Sequence, residues 1–180
     1  MRKYILMVFI ALSYVISASG QLHLYDIKVK DIEGYTFPLA SLKGKKVLIV
    51  NTASKCSLTP QYEELEKLYK EFGGDDFTII GFPSNDFASQ EPGTNEEIAT
   101  FCTEKFDVTF PMMSKISVKG DEKHPLYQWL TSESENGLED SKVSWNFQKF
   151  MIDEDGALVG HVAPRKKPHC KEIISWLEKS

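Results

Sequence analysis

Apolar and polar positions alternate along this chain with two different periods. Leu22, Leu24, Ile27 and Val29, followed by Asp31-Ile32-Glu33-Gly34, predict a short strand pair. Pro38 to Lys43 reads as a single helical turn. Val47-Leu48-Ile49-Val50 is a continuous β-prone run, as expected of a strand buried on both faces. Thr59-Pro60 then reads as N-cap and first helical position. Tyr62, Leu65, Leu68, Tyr69 and Phe72 recur at helical spacing until Gly73-Gly74 stops them. Phe77 to Phe82 is a second buried strand, so strand, helix and strand form a βαβ unit.

Beyond it, Thr94-Asn95-Glu96-Glu97 is a capping box. The helix it opens carries Ile98, Phe101 and Cys102 on one face. Pro125 to Leu130 predicts another short helix. Lys142 to Asp153 and Ala157 to Val162 flank the turn Asp153-Glu154-Asp155-Gly156, a hairpin signal. Pro168 to Lys179 closes with an amphipathic helix. The order predicts an α/β domain of the thioredoxin-like fold, a central mixed β-sheet flanked by helices, with one inserted helix.

The start of the chain follows another pattern. Met1-Arg2-Lys3 is basic, Tyr4 to Ile16 is apolar apart from Ser13, and Ser17 to Gly20 are small residues. A bilayer core takes about 20 apolar residues, so this run is short for a span. Basic, apolar, then small is the layout of a secretory signal peptide. The expected division is therefore residues 1–20 as leader and 21–180 as the domain, exported to a secreted or periplasmic location. An uncleaved leader acting as a membrane anchor is the alternative; after cleavage no stable membrane span is expected.

Composition narrows the function. The 180 residues carry a net charge of −5, which argues against nucleic acid as a partner. Three cysteines are too few for a disulfide scaffold. No ligand spacing for a metal and no phosphate-binding glycine loop is visible.

Cys56 is the candidate nucleophile. It lies just past the first buried strand and just before a helix, where α/β sheets place their sites. Helix N-terminal amides and the neighbouring Lys55 favour a thiolate there. Cys-x-x-Cys is absent, because Thr59 holds the partner position, and this counts against a thioredoxin or a disulfide isomerase. The loop Phe82 to Gly93 carries a side-chain amide at Gln90. Trp145-Asn146-Phe147, read as part of a later strand, adds an indole N–H and a second amide. Cys170 reads as helix-start packing or a free thiol.

Lys55-Cys56-Ser57-Leu58-Thr59, the Phe82-Pro83-x-Asn85-x-Phe87-x-x-Gln90-Glu91-Pro92-Gly93 loop and Trp145-Asn146-Phe147, in this order, resemble the glutathione peroxidase family. The likeness runs from about Leu22 to Trp176. It implies that Cys56 stands at the peroxidatic position, with Gln90, Trp145 and Asn146 as its polar partners. It implies reduction of hydrogen peroxide and organic or lipid hydroperoxides, with a Cys56 sulfenic acid as the first product. It further implies that Cys102 is a resolving cysteine, closing a Cys56–Cys102 disulfide that a thioredoxin-like dithiol protein reduces. Glutathione as the reducing co-substrate remains the alternative, and a peroxide sensor that passes oxidation to a client protein is another. No bound cofactor is expected. The short Thr131–Ser144 stretch resembles the monomeric type.

Two positions depart from the family pattern. Ser57 stands where glycine is usual, which puts the turn geometry in question. Asp86 stands where glutamine is usual and adds a negative charge that opposes a thiolate nearby. Arg165-Lys166-Lys167 reads as a solvated basic face.

Overall fold

A computed structural model describes residues 23–179 of the chain. The leader segment and Leu22 lie outside the described residues. After a 3-10 turn at Leu24–Asp26, strands β1 (Val29–Lys30) and β2 (Thr36–Phe37) pair antiparallel in a small sheet of their own. The expected strand pair therefore exists but starts later, since Leu24 lies in the 3-10 turn. The turn between the strands places Gly34 at φ +91, a region where a side chain is strained.

The main sheet has strand order β4-β3-β5-β6. Strand β3 (Lys46–Thr52) runs through α1 (Gln61–Phe72) to β4 (Phe77–Pro83), and the two strands pair in parallel. Strand β5 (Lys149–Ile152) pairs antiparallel with β3 and, through the Asp153–Gly156 turn, with β6 (Leu158–Val162). Between β4 and β5 the chain inserts α2 (Asn95–Phe106), α3 (Pro125–Thr131) and the short α4 (Glu133–Asn136). Helix α5 (Lys171–Leu177) ends the fold. The helix α4, absent from the sequence reading, is built on Asn136. That buried amide donates to Trp129 and Glu139 carbonyls and accepts from Leu138 and Glu139 N–H groups.

Every residue of β3 and β4 is buried. Because strand side chains alternate, the two faces feed two cores. Val47 and Ile49 join Ile80, Phe82, Phe150 and α3 on one face. Leu48 and Val50 join Ile79, Tyr62, Leu65 and Leu68 of α1, Ile98 and Cys102 of α2, and Ile173 of α5 on the other. No described helix is long and apolar enough to cross a membrane.

Candidate active site

Three loops meet beyond the C-terminal ends of β3 and β4. The first leaves β3 at Thr52 and winds into α1 through successive tight turns. Thr59 is not the N-cap of α1. Its hydroxyl instead accepts the Cys56 N–H at 3.0 Å and donates to the Ala53 carbonyl at 2.8 Å. A threonine two residues before the first helical residue is thus used to clamp the Cys56 turn, and Pro60 occupies the cap position without a side-chain bond. Cys56 is 8% exposed, and its sulfur accepts the Leu58 N–H at 3.4 Å. Ser57 does not have a positive φ, so this turn makes no demand for glycine.

The second loop follows β4. Ala88 and Ser89 both have φ of 52°, a left-handed pair that non-glycine residues adopt at about 1–2 kcal/mol each. They bring the chain round to Gln90, whose carbonyl accepts the Lys55 N–H at 3.0 Å. The next residue, Glu91, accepts the Ser54 hydroxyl. Loops one and two are therefore fastened on both sides of the Cys56 turn. Asp86 points its carboxylate at the 117–119 loop, accepting from the Ser117 hydroxyl at 2.9 Å and the N–H groups of Val118 and Lys119 at 2.6 and 3.2 Å. Its charge is satisfied there, so its structural task is to tie two loops.

The third loop carries Trp145, Asn146 and Phe147. It is a turn, contrary to the strand expected from Lys142 onward, and β5 begins only at Lys149. Phe147 at φ 66° takes the chain out of extended geometry. Asn51, the buried penultimate residue of β3, holds the turn by donating to the Trp145 carbonyl at 3.1 Å and accepting the Phe147 N–H at 2.6 Å.

The structure brings the polar candidates together across these loops. Asn146 is fully buried and donates to the Gln90 side-chain carbonyl at 2.9 Å. Trp145 leans on Phe87 with ring centroids 5.3 Å apart, and Lys119 lies 4.5 Å over the same Phe87 ring. With the Gln90 carbonyl engaged by Asn146, its NH2 group and the half-exposed Trp145 indole N–H have no protein acceptor among the described residues. Beside Trp145 a cleft of about 440 Å³ is lined by Ser144, Ala163, Pro164 and Arg165. Lys166 and Lys167 of the same basic run are paired with Glu172 and Glu64 on the surface.

Cys102 sits apart from these loops, on α2, buried beside Ile98 and Tyr62. Burial pushes its thiol up to about 11, and the charge of Glu91 adds to the shift. Both Cys56 and Cys102 are free thiols. Cys170 is half-buried at the N-cap of α5. Among the described residues no cluster of His, Cys, Asp and Glu could hold a metal.

Sequence reasoning passed over Asn51, Ser54, Glu91 and Lys149. Each is a polar residue whose partner lies far along the chain, so only the positions of Asn51 at a strand end and of Glu91 within the loop motif gave a signal.

Comparison with known proteins shows the family to which the chain belongs. The family model for glutathione peroxidase matches residues 24–131. The glutathione peroxidase-like peroxiredoxin gpx1 of Schizosaccharomyces pombe is 48% identical over 147 residues, covering 81% of this chain and 92% of that protein. The crystal structure of Trgpx in apo form superposes with a TM-score of 0.67 at 39% identity, covering 88% of this chain and 97% of that one. A thioredoxin-family thiol:disulfide interchange protein from Chlorobium tepidum, at 20% identity, shares the fold with a TM-score of 0.59 over 84% of this chain and 92% of its own. From a family match spanning more than half of its length and a relative nearly half identical, the chain is a peroxidase of thioredoxin-like fold and belongs to the glutathione peroxidase family.

Proposed function

We propose that Cys56 reduces hydroperoxides and that Cys102 regenerates it through a disulfide. The observation that carries this reading is the fastening of the Cys56 turn to Gln90 and of Gln90 to Asn146, which assembles a nucleophile and polar side chains from three loops. The Cys56 thiolate attacks the terminal oxygen of the peroxide. The O–O bond breaks, Cys56 becomes a sulfenic acid, and the alkoxide or hydroxide leaves. The unengaged Gln90 amide and Trp145 indole donors stabilise the charge that develops on the leaving oxygen. The Trp145 cleft, with Ala163 and Pro164 on its wall, supports a substrate with an apolar body such as an organic or lipid hydroperoxide.

Cys102 then attacks the sulfenic acid, forming the Cys56–Cys102 disulfide and water. Cys102 is 2% exposed and its thiol is not ionised at neutral pH, so this step requires α2 to loosen. A thioredoxin-like dithiol protein is the proposed reductant, in line with the peroxiredoxin name of the yeast relative; the alternative is glutathione. The basic, apolar, small pattern of residues 1–20 supports export, so the donor would be a dithiol protein of that compartment. The protein is proposed to act as a monomer.

The deciding experiment uses Cys102→Ser. One equivalent of hydrogen peroxide should oxidise Cys56 at the wild-type rate, while steady turnover with thioredoxin falls to background. Sustained turnover with thioredoxin in that variant would overturn the role of Cys102. Turnover of the wild type with glutathione alone would select the other reductant.

The capping box gives a second check. Thr94 accepts the Glu97 N–H at 3.2 Å, and Glu97 accepts the Thr94 N–H at 2.8 Å. Thr94→Ala should cost α2 about 1 kcal/mol. Because Cys102 must leave its pocket, disulfide closure should then quicken, by about fivefold at most. Rapid-quench mass spectrometry reads the rate; a slower closure would mean that α2 reacts while folded.

A further inference from the structure

Thr59 holds the position that a second cysteine would take in Cys-x-x-Cys, and the chemistry above gives it no task. It is buried, and each of its polar atoms is engaged. Its N–H donates to the Cys56 carbonyl at 3.0 Å, and its own carbonyl accepts the N–H of Tyr62 in α1 at 3.0 Å. Its hydroxyl accepts the Cys56 N–H at 3.0 Å and donates to the Ala53 carbonyl at 2.8 Å. Both backbone polar groups of Cys56 are therefore bonded to this one residue. The same hydroxyl ties the turn back to the chain leaving β3.

Ser57 and Leu58 lie inside the ring that these bonds close. The Leu58 N–H donates to Cys56 Sγ at 3.4 Å, the only hydrogen bond to that sulfur among the described residues. A donor aimed at sulfur favours the thiolate over the thiol, because the bond to the charged form is the stronger. Its aim depends on the backbone angles at Ser57 and Leu58. The Thr59 N–H bond alone would leave the buried Cys56 N–H without an acceptor, which is costly. The hydroxyl supplies that acceptor and closes the turn a second time. Two charged residues flank the turn. Lys55 gives its N–H to the Gln90 carbonyl, and the Glu91 carboxylate takes the Ser54 hydroxyl.

We propose that Thr59 is a positioning residue for the reacting sulfur: its hydroxyl locks the Cys56–Thr59 turn in the shape that aims the Leu58 N–H at Cys56 Sγ, and so favours the thiolate. This rests on the reading of Cys56 as the nucleophile and concerns the first step of the cycle. Cysteines of Cys-x-x-Cys motifs ionise more readily than a free thiol. Here the fourth position serves the same end through the backbone, with a hydroxyl in place of a thiol.

The test compares Thr59→Val, which keeps the branched shape without the hydroxyl, with Thr59→Ser, which keeps the hydroxyl. Neither variant removes Lys55 or Glu91. In each reduced full-length protein, alkylation of Cys56 by iodoacetamide is followed across pH by peptide mass spectrometry. Oxidation by one equivalent of hydrogen peroxide is followed by trapping the sulfenic acid with dimedone. Thr59→Val should move the midpoint of the alkylation profile to higher pH, by about half a pH unit or more. Its limiting rate in alkali should be no lower than that of the wild type, since a more basic thiolate is the better nucleophile. At the wild-type midpoint both reactions should be slower by about twofold. Thr59→Ser should restore the wild-type profile.

An unmoved midpoint in Thr59→Val would overturn the proposal, and so would a Thr59→Ser profile that follows Thr59→Val. Equal slowing at every pH would also overturn it, because Thr59 would then govern access to the sulfur and not its charge. If Thr59→Val does not fold, the wild type decides. The Leu58 amide resonance should move over the pH range of the alkylation profile, and an amide unmoved there would overturn the assignment. Failure of peroxide to oxidise wild-type Cys56 would instead sink the reading of Cys56 as the nucleophile, and the alkylation profiles would still report on Thr59.

Discussion

Cys56→Ser should abolish peroxide reduction, by at least about a thousandfold, and leave the fold intact. A serine hydroxyl at this position has no means of becoming the anion that attacks an O–O bond, and a loss of the nucleophile is among the largest single-residue effects in enzymes. The fold should persist because the turn is held by the Cys56 N–H, the Thr59 hydroxyl and the Lys55 N–H, and the one bond to the sulfur, from the Leu58 N–H at 3.4 Å, is one that a serine oxygen also accepts. A stopped-flow assay with hydrogen peroxide and a lipid hydroperoxide measures the loss, and circular dichroism checks the fold. Retention of more than a small fraction of the activity would move the chemistry to Cys102 or Cys170.

Lys149→Met should destabilise the protein by about 2–4 kcal/mol at neutral pH. Lys149, at the start of β5, has no exposed surface. Its ammonium donates to the side-chain carbonyl of Gln61, the first residue of α1, and to the backbone carbonyls of Pro164, at 3.1 Å, and Lys166. Two effects oppose each other here. Burying an ammonium is costly, and replacing buried ionic groups by apolar ones is sometimes stabilising. Methionine, however, leaves the Gln61 and Lys166 oxygens without a donor, and we expect those losses to win. Greater stability in the variant would show that desolvation outweighs the three bonds.

The pH dependence gives this prediction a sign. Burial pulls the Lys149 ammonium down to about 7 from 10.5. Between those values the unfolded chain holds a proton that the folded chain has lost. The lysine's contribution to stability therefore rises as pH increases through that window, and it is lost as pH falls through about 7. Cys102 works in the opposite sense, since its raised thiol favours the folded state below pH 9 and loses that benefit as pH climbs through about 11. Comparing denaturant midpoints of the wild type and Lys149→Met from about pH 6 to 9 isolates the lysine, because Cys102 is common to both. The gap between the two midpoints should widen with pH. A gap independent of pH would mean that Lys149 stays charged throughout.

The sequence misreadings have identifiable causes. Val143, Trp145 and Phe147 alternate with Ser144 and Asn146 as a strand would, so the pattern extended β5 backward by several residues. The pairing of Asn51 with Trp145 and Phe147 overrides that alternation and leaves Phe147 left-handed. Thr59 before Pro60 has the composition of a helix start, yet its hydroxyl finds a better use at the Cys56 N–H three residues back. Helix α4 has no apolar periodicity, and its stability comes from Asn136 bonds to α3 and the following loop. Asp86 read as a threat to a thiolate because its sequence position is close to Gln90, whereas its three donors lie some thirty residues ahead.

What the chain of residues settles alone is what depends on near neighbours. The buried runs at Val47 and Phe77, the stripe of α1, the capping box of α2 and the motif around Cys56 are all short-range patterns, and each appears where those patterns place it. Which charged groups go under the surface follows from no such pattern. Glu91 and Lys149 have the composition of solvated residues, and they are buried because loops distant in sequence supply a hydroxyl, amides and carbonyls at the right separation. The union of Gln90 with Asn146, and of Ser54 with Glu91, likewise arises only when the sheet brings the ends of β3 and β4 and the turn before β5 to one place, because hydrogen bonds act over a few ångströms in space whatever the distance along the chain.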